Sequence, residues 1–595
     1  MSNSISAQET PDSSLEKSNV ASISSNYTTT EPYASTESHS RSLFTRFVDT
    51  FKEVEIPQEV QEQLNDPNIT EDEKRNLRLK HTPLSKNLKV RHMQMIAMGS
   101  CIGTGLFIGS GSALRTGGAA SLPICWSIIG FVAFFTIHSL GELATAYPVS
   151  GAFSAHATKF IEPSFGFAIG WNYTLLWLAV LPNEIIAASL TLQFWNTSIN
   201  PVAWVSIFYV FVLSINLFGV KAYGEAEYIF SLIKVVAIVG FLILGIVLIC
   251  GGGPSHGFVG GEYYHNPGPF ANGFKGVSTV FVTACYSLGG TELVGVTSAE
   301  AGNARKFLPS AIKQVFWRIV FFFFGSLTMI SLLVNSKDNR LLGTNSADAS
   351  ASPFVIAIKN GGIKGLPSVM NAVIMISVLS VGNSAVYGCS RTLASLSAQG
   401  LAPKCFNYID RMGRPIYGIA LNALFGLLCF TVASNHEATV FAWLMSLSGL
   451  AIVLTWSSIC LSHIRFRMAM KAQGRSLDEL AFVSRSGVYG SIFGLVMLMV
   501  VLGLQFWVSL FPLGSEGANA TNFFQNYLGG VIALVFYIGR KLWVRKLWEA
   551  TPLKEIDLDE GRAAVDMELL QQELEEERAS LAAKGFFYRA YRFWC

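Results

Sequence analysis

The chain has 595 residues, 51% of them hydrophobic and only 14% charged, with a net charge of +3 and a mean hydropathy of +0.41. Soluble domains carry about 25% charged residues, so the composition and the long apolar runs indicate a polytopic membrane protein. The small net charge, without a basic block interleaved with aromatics, argues against a nucleic-acid partner. Nine scattered cysteines with no Cys-x-x-Cys pair argue against a disulfide framework or a zinc site.

Residues 1–85 are rich in Ser, Thr, Asn and Glu and poor in large apolar side chains. Such a segment buries too little surface to offset its ordering entropy, and it reads as a disordered cytoplasmic tail with a weak helix around 55–80 and no cleavable signal peptide. A transporter domain follows over 86–546. A helix needs about 20 apolar residues to cross the hydrocarbon. That rule predicts twelve spans, at 93–114, 120–146, 164–192, 201–220, 227–250, 277–299, 315–335, 367–396, 416–434, 438–463, 487–511 and 525–544. Lys and Arg cluster in alternate loops, among them Lys89, Arg91, Arg305, Arg391, Arg414, Arg465 and Lys541. This bias predicts that both termini are cytoplasmic. The last segment, 547–595, reads as a cytoplasmic regulatory tail, acidic and helical in period over 555–584.

Two spans carry glycine interruptions in matching places. The first reads Met98-Gly99-Ser100-Cys101-Ile102-Gly103-Thr104-Gly105, the second Cys285-Tyr286-Ser287-Leu288-Gly289-Gly290-Thr291-Glu292. They fall in spans 1 and 6, five apart, so the second unit enters the membrane in the opposite sense. That is the pattern of an inverted repeat of five helices plus five, over about 93–250 and 277–463, with the two helices of 487–544 outside it. Close packing by small residues is the plainer explanation of glycine in a membrane helix, but two breaks at repeat-related positions weigh against it.

An unwound segment inside a membrane is tolerated where it lines a cavity. It offers amides at the start of one half-helix and carbonyls at the end of the other, which suit a carboxylate and an ammonium. An α-amino acid carries both. Amides near Gly103, Thr104 and Gly105 are candidates for the carboxylate, and carbonyls near Ser100, Cys101, Tyr286 and Ser287 for the amine; Gly289 belongs to the second break. Tyr286 is either an aromatic gate or a packing residue.

Charged residues inside spans are expensive and usually functional. Lys234 lies about two turns into span 5, where it either snorkels or faces the first break and carries a proton in place of a bound sodium ion. Glu292 follows the second break directly and is a candidate for substrate contact, proton transfer or capping of the next half-helix. Glu184 in span 3 is a second proton carrier or half of an ion pair. Glu142 reads as structural or gating, and His138 as satisfied by a neighbouring carbonyl. No nucleophile–base or phosphate-cradling pattern points to catalysis, so the chain is not expected to be an enzyme or to hold a cofactor.

From about Leu84 onward the sequence resembles the fungal amino-acid permeases of the amino acid–polyamine–organocation superfamily, and among them the general amino-acid permeases. The resemblance rests on Ser100–Phe107 around the first break, Gly141–Pro148, Gly224–Tyr228 with Lys234, and Gly290–Leu293. It rests most of all on Ser380–Ser384 running into Ser390-Arg391-Thr392, with Gln399–Pro403 and Gly413–Pro415. It implies a LeuT-like all-α fold and proton-coupled amino-acid uptake at the plasma membrane by alternating access, with Ser380 and Val381 completing the pocket and Lys234 in the place of sodium. It also implies a palmitoylated Cys595, and tails that engage a ubiquitin ligase and trafficking machinery through lysines such as Lys17, Lys52 or Lys74. An amino-acid sensor signalling through its tails is the alternative. One departure is Asn303-Ala304-Arg305, where the family usually has proline in the middle.

Overall fold

The computed structural model describes most of residues 90–562, with gaps at 150, 196–197, 255–256, 301–303, 342–351, 435–436, 516 and 547–549, and parts of 48–89 and 572–588. Two units separate by their contacts, Met1–Lys52 and Glu53–Cys595. In the first, residues 48–52 include a turn closed by the Phe51 amide on the Val48 carbonyl. The membrane helices lie in the second.

The second unit enters the bilayer through α1 (Val90–Gly99), which is interrupted and resumes as a π-helical turn at Gly105–Gly109 and α2 (Ser110–Gly117). There follow α3 (Ser121–Ala146), α4 (Ala152–Phe160), α5 (Pro163–Leu192), α6 (Pro201–Leu217) and α7 (Val220–Ile249). The second broken helix consists of α8 (Gly273–Leu288) and α9 (Leu293–Thr297). Then come α10 (Ala304–Arg318), α11 (Ser326–Leu333), α12 (Pro353–Asn360), α13 (Leu366–Ala398), α14 (Ile416–Gly426), α15 (Glu437–Ala472), α16 (Gly487–Leu510) and α17 (Ala520–Val544). Proline falls in the first turn of α5, α6 and α13, where its missing N–H leaves no hydrogen bond unmade.

Among the described residues, nine helical stretches are long and apolar enough to cross a membrane. The predicted spans 4 and 7 correspond to the shorter apolar stretches Pro201–Leu217 and Ile319–Leu333, and span 1 to the broken α1–α2. The chain is thus an all-α polytopic membrane protein.

The long helices show one-sided patterning. In α7, Glu227, Ser231, Lys234, Ile238, Phe241, Gly245 and Leu248 form a buried stripe at the three-to-four residue spacing of one helix face. The opposite face exposes Ile229, Leu232, Val236, Val239 and Ile243, as lipid requires. Against the buried stripe pack α1 and α13, and α13 in turn lies along α5. These four helices enclose the first break.

The tail after α17 departs from expectation at its start, while described residues further on, among them 579–582, are helical as expected. Residues 555–562 are turns rather than helix, and Ile556 and Leu558 are buried with Leu143, Tyr147, Phe160, Phe466 and Met470. Tyr147 Oη donates to the Leu558 carbonyl at 2.6 Å, Lys159 Nζ to that of Glu560 at 2.5 Å, and Gln473 Nε2 to that of Ile556 at 2.7 Å. The apolar pair Ile556 and Leu558, within the stretch expected to be helical, anchors a strap across α3, α4 and α15. On the same face, Val54 N donates to Ile409 O at 3.0 Å. This end of the helices is called the tail face below. The weak helix expected around 55–80 appears as Gln58–Asn65. Cys595, Lys17, Glu568, Glu573 and Glu577 lie outside the described residues, while Glu575 and Glu576 are helical and exposed.

Candidate functional site

The first break spans Ser100 to Gly103. The α-helical ladder ends with the Ser100 amide on Ile96 O, and the next half-helix begins where Leu106 N and Phe107 N both reach Gly103 O. Amides at the first turn of a helix have no partner within it; those of Gly103 and Gly105 are left for the site, and that of Thr104 is turned to the Glu184 carboxylate. Glycine is required here by crowding. A Cβ on Gly103 would lie 2.6 Å from Val381 Cγ2, and one on Gly105 would lie 2.5 Å from the Ser287 Cα.

The second break spans Gly289 to Glu292 and touches the first. Ser100 Oγ donates to Gly290 O at 2.9 Å. Gly290 has φ +97°, and a Cβ there would stand 2.7 Å from the Ser100 carbonyl. The Gly290 amide donates to both carboxylate oxygens of Glu292 at 3.1 Å. Tyr173 Oη donates to Glu292 Oε1 at 3.2 Å and Trp456 Nε1 to Oε2 at 3.1 Å. Glu292 is therefore a fully buried carboxylate with donors from α5, α15 and the break itself, closing the second break from behind.

Between the breaks lies a small cavity. Its lining includes Ser100, Cys101, Gly103, Thr104, Gly105, Glu184, Tyr286, Gly289 and Val381. Ser287, Glu292, Ser380 and Lys234 stand outside that lining. Ser287 Oγ accepts from Trp126 Nε1 at 2.7 Å beneath Gly105. Apolar residues from α5 and α15 complete the wall, namely Leu176, Trp177, Val180 and Ile452; they did not stand out in the sequence because apolar residues in an apolar helix carry no contrast. Cys101 Sγ turns back to the Met98 carbonyl at 3.2 Å.

Glu184 stands where both breaks meet. Thr104 Oγ1 donates to its Oε2 at 2.5 Å and Tyr286 Oη to its Oε1 at 3.1 Å, while Asn183 Nδ2 donates to the same Tyr286 oxygen at 3.2 Å. Tyr286 is thus held by hydrogen bonds as well as by packing. Glu184 thus stands beside the start of the second half-helix, at the same end of the cavity as its amides, and apolar side chains make up part of the remaining wall. Helix-start amides and a hydrogen-bonding carboxylate are polar partners that a zwitterion can use.

Lys234 does not snorkel. Its side chain is fully buried, and Nζ donates to Gly99 O at 2.5 Å and to Ser380 Oγ at 2.9 Å. The ammonium therefore ties the end of α1 to α13 immediately behind the cavity. Elsewhere, Glu142 is paired with Arg467 at 2.5 Å and accepts from Ser484 N at 2.7 Å, and His138 Nδ1 meets the Phe134 carbonyl at 2.9 Å. Among the described residues no cluster of His, Cys, Asp and Glu has the geometry to hold a metal ion.

Comparison with known proteins bears on the same elements. The amino acid permease family model matches residues 92–550. The chain is 57% identical to the amino-acid permease GAP3 of Candida albicans, over 86% of this chain and 85% of that protein. It is 51% identical to the general amino-acid permease GAP1 of Saccharomyces cerevisiae, over 94% and 93%. It is 52% identical to the tryptophan permease of the same yeast, over 86% and 87%. Two broken helices meeting at a cavity, and a match that runs from α1 to α17, place this chain in the amino acid permease family, whose members are transporters and not enzymes.

Proposed function

We propose that the protein imports amino acids across the plasma membrane as a proton-coupled symporter of broad specificity, by alternating access around the two breaks. The observation that carries this reading is the buried Lys234 ammonium against the Gly99 carbonyl and Ser380 Oγ. A carbonyl and a hydroxyl at a helix break are ligands that a small cation would use. A lysine amine placed there supplies the positive charge itself, and gains or loses it with a proton. Glu184, bonded to Thr104 and Tyr286 across both breaks, is the second proton carrier and senses the occupant of the cavity.

In this reading Gly103, Thr104 and Gly105 amides hold the substrate carboxylate. Ser100, Cys101, Tyr286 and Gly289 complete the part common to all amino acids, and Val381 with the α5 and α15 residues meets the variable side chain. Ser287, Ser380 and Glu292 support the site from behind. The twelve-span count, the five-plus-five inverted repeat and cytoplasmic placement of both tails belong to the same proposal, as do modification of Cys595 and tail lysines by the trafficking machinery. No cofactor is needed.

Labelled uptake in a permease-deficient yeast, with a competition panel of the twenty amino acids, tests the reading. Saturable uptake of several chemically different amino acids is expected. Signalling without uptake contradicts transport, and uptake of one amino acid alone contradicts breadth. The panel is informative because the chain is equally similar to relatives named for general and for tryptophan transport, and a hydrophobic pocket discriminates by only about 1–3 kcal/mol per methylene.

A further inference from the structure

The polar network around Lys234 continues to a residue that neither the cavity nor the break uses. Glu227 lies two turns before Lys234 on the buried stripe of α7 and is fully buried. Two α13 side chains hold it. Ser380 Oγ donates to its Oε2 at 2.7 Å and Asn383 Nδ2 to its Oε1 at 2.8 Å. Ser380 Oγ is the same atom that accepts from Lys234 at 2.9 Å. Asn383 is fixed in turn by Asn216 Nδ2 of α6, which donates to its Oδ1 at 2.8 Å. The glycine that ends α1 fits this arrangement too, since a Cβ on Gly99 would stand 2.1 Å from Ser231 Oγ and 3.2 Å from Glu227 Oε2.

Polar groups lead on from Glu227 toward the tail face. One turn earlier on α7, Tyr223 Oη lies 3.2 Å from Ser384 Oγ, and its ring stacks on Tyr387 at 4.3 Å. Tyr387 Oη donates to Glu300 Oε2 at 2.7 Å, and Arg391 Nε to Glu300 Oε1 at 3.0 Å. All of these side chains are buried. A buried ammonium and a buried carboxylate joined through one hydroxyl are an expensive arrangement in a low dielectric. A proton shift along the hydroxyl removes both charges at once.

We propose that Glu227 is the relay acceptor that takes the coupled proton from Lys234 through Ser380 and delivers it toward the tail face. The Lys234 ammonium gives a proton to Ser380 Oγ while the hydroxyl proton of Ser380 moves to Glu227 Oε2. One N–H and one O–H bond break, two O–H bonds form, and the products are a neutral amine, an intact hydroxyl and a neutral carboxylic acid. Glu227 loses that proton to water when the Tyr223–Tyr387 stack and the Glu300–Arg391 pair separate. The carboxylate is then restored and Lys234 is ready for the next proton. This rests on the reading of Lys234 as the coupling group.

The test uses the full-length protein in liposomes and measures two transport modes. Exchange of labelled for unlabelled substrate at equal pH on both sides never requires proton release, whereas accumulation driven by a pH gradient does. Glu227→Gln is expected to keep exchange and to lose accumulation about tenfold or more, with Glu227→Asp recovering part of it. Wild-type accumulation in Glu227→Gln, with accumulation lost in Lys234→Ala, overturns the relay and leaves the reading of Lys234 standing. Wild-type accumulation in both variants overturns both. Loss of exchange and accumulation together in Glu227→Gln, from protein that still binds substrate in detergent, shows a positioning role and overturns the relay. If Glu227→Gln does not fold, Glu227→Ala carries the test in its place, and wild-type accumulation from it, with accumulation lost in Lys234→Ala, overturns the relay equally.

Discussion

The break at Ser100–Gly103 and the break at Gly289–Glu292 are built from the same residue type and touch through Ser100 and Gly290, but their backbone groups go to different uses. The second break gives its Gly290 amide to the carboxylate of Glu292, which also takes donors from α5 and α15. The first break is not capped by a carboxylate of its own segment. Its last helical carbonyl, from Gly99, takes the ammonium of Lys234, and the residues that follow, Gly103 to Gly105, line the cavity. One break is thus internally satisfied and serves as a fixed wall, while the other is satisfied by Lys234 and Glu184, the groups proposed above to carry protons. Asymmetry of this kind lets a nearly symmetric pair of half-helices bind on one side and respond on the other.

Breaking the fixed side has the largest expected effect. Glu292→Ala leaves the buried Gly290 amide, Tyr173 hydroxyl and Trp456 indole without their acceptor, a loss of about 3–5 kcal/mol by analogy with other broken buried charge networks. Little mature protein is expected at the cell surface, read by surface biotinylation, and Glu292→Gln should recover part of it. A mature and active Glu292→Ala protein would remove the contrast between the breaks. On the responsive side, Lys234→Ala is expected to reach the surface at near-normal levels and to lose gradient-driven uptake, since the two groups it bonds, Gly99 O and Ser380 Oγ, are left beside a space that a water can fill.

Smaller effects sharpen the comparison further. Gly290→Ala forces a side chain into φ +97° against the Ser100 carbonyl, a strain of about 1–3 kcal/mol. Lower thermal stability is expected in detergent, with an unchanged pH dependence of uptake, because the strained wall carries no proton. The smallest effect lies away from both breaks. The guanidinium groups of Arg475 and Arg562 hold the Glu479 carboxyl at about 2, and Arg475 also pairs with Asp559 of the strap at 2.8 Å. A carboxyl lowered on folding stabilises fully above its ordinary value near 4.3 and loses that contribution as the pH falls through its folded value. Hydrogen-exchange protection of residues 551–562 should therefore hold from pH 7 to about 5 and decline only below about 4. A decline near pH 6 would show that another group docks the strap.

The breaks were legible in the sequence because glycine inside a long apolar run is a strong contrast, and so was Lys234, a charge where none is expected. Glu292 stood out for the same reason, but its neighbours in sequence could not reveal that Tyr173 and Trp456 come from distant helices to close around it. Leu176, Trp177, Val180 and Ile452 were invisible as cavity residues, because α5 is buried on nearly every face and leaves no periodicity to read. Glu227 was hidden by position. It is the first residue of the predicted span 227–250, next but one to the half-buried Glu225, whereas the three-to-four residue spacing to Ser231 and Lys234 places it inside. The strap misled for the opposite reason. The helical period lies in the acidic residues that follow it, of which Glu575 and Glu576 are helical, whereas Ile556 and Leu558 take their order from the surface they dock on.

Transport in sealed liposomes containing the purified full-length protein, with a labelled amino acid outside and an imposed inward proton gradient, tests the central claim most directly. The account predicts accumulation above the outside concentration, acidification of the lumen in step with amino-acid entry, and loss of both when a protonophore collapses the gradient. Accumulation that survives the protonophore, or amino-acid entry with no proton movement, would contradict it.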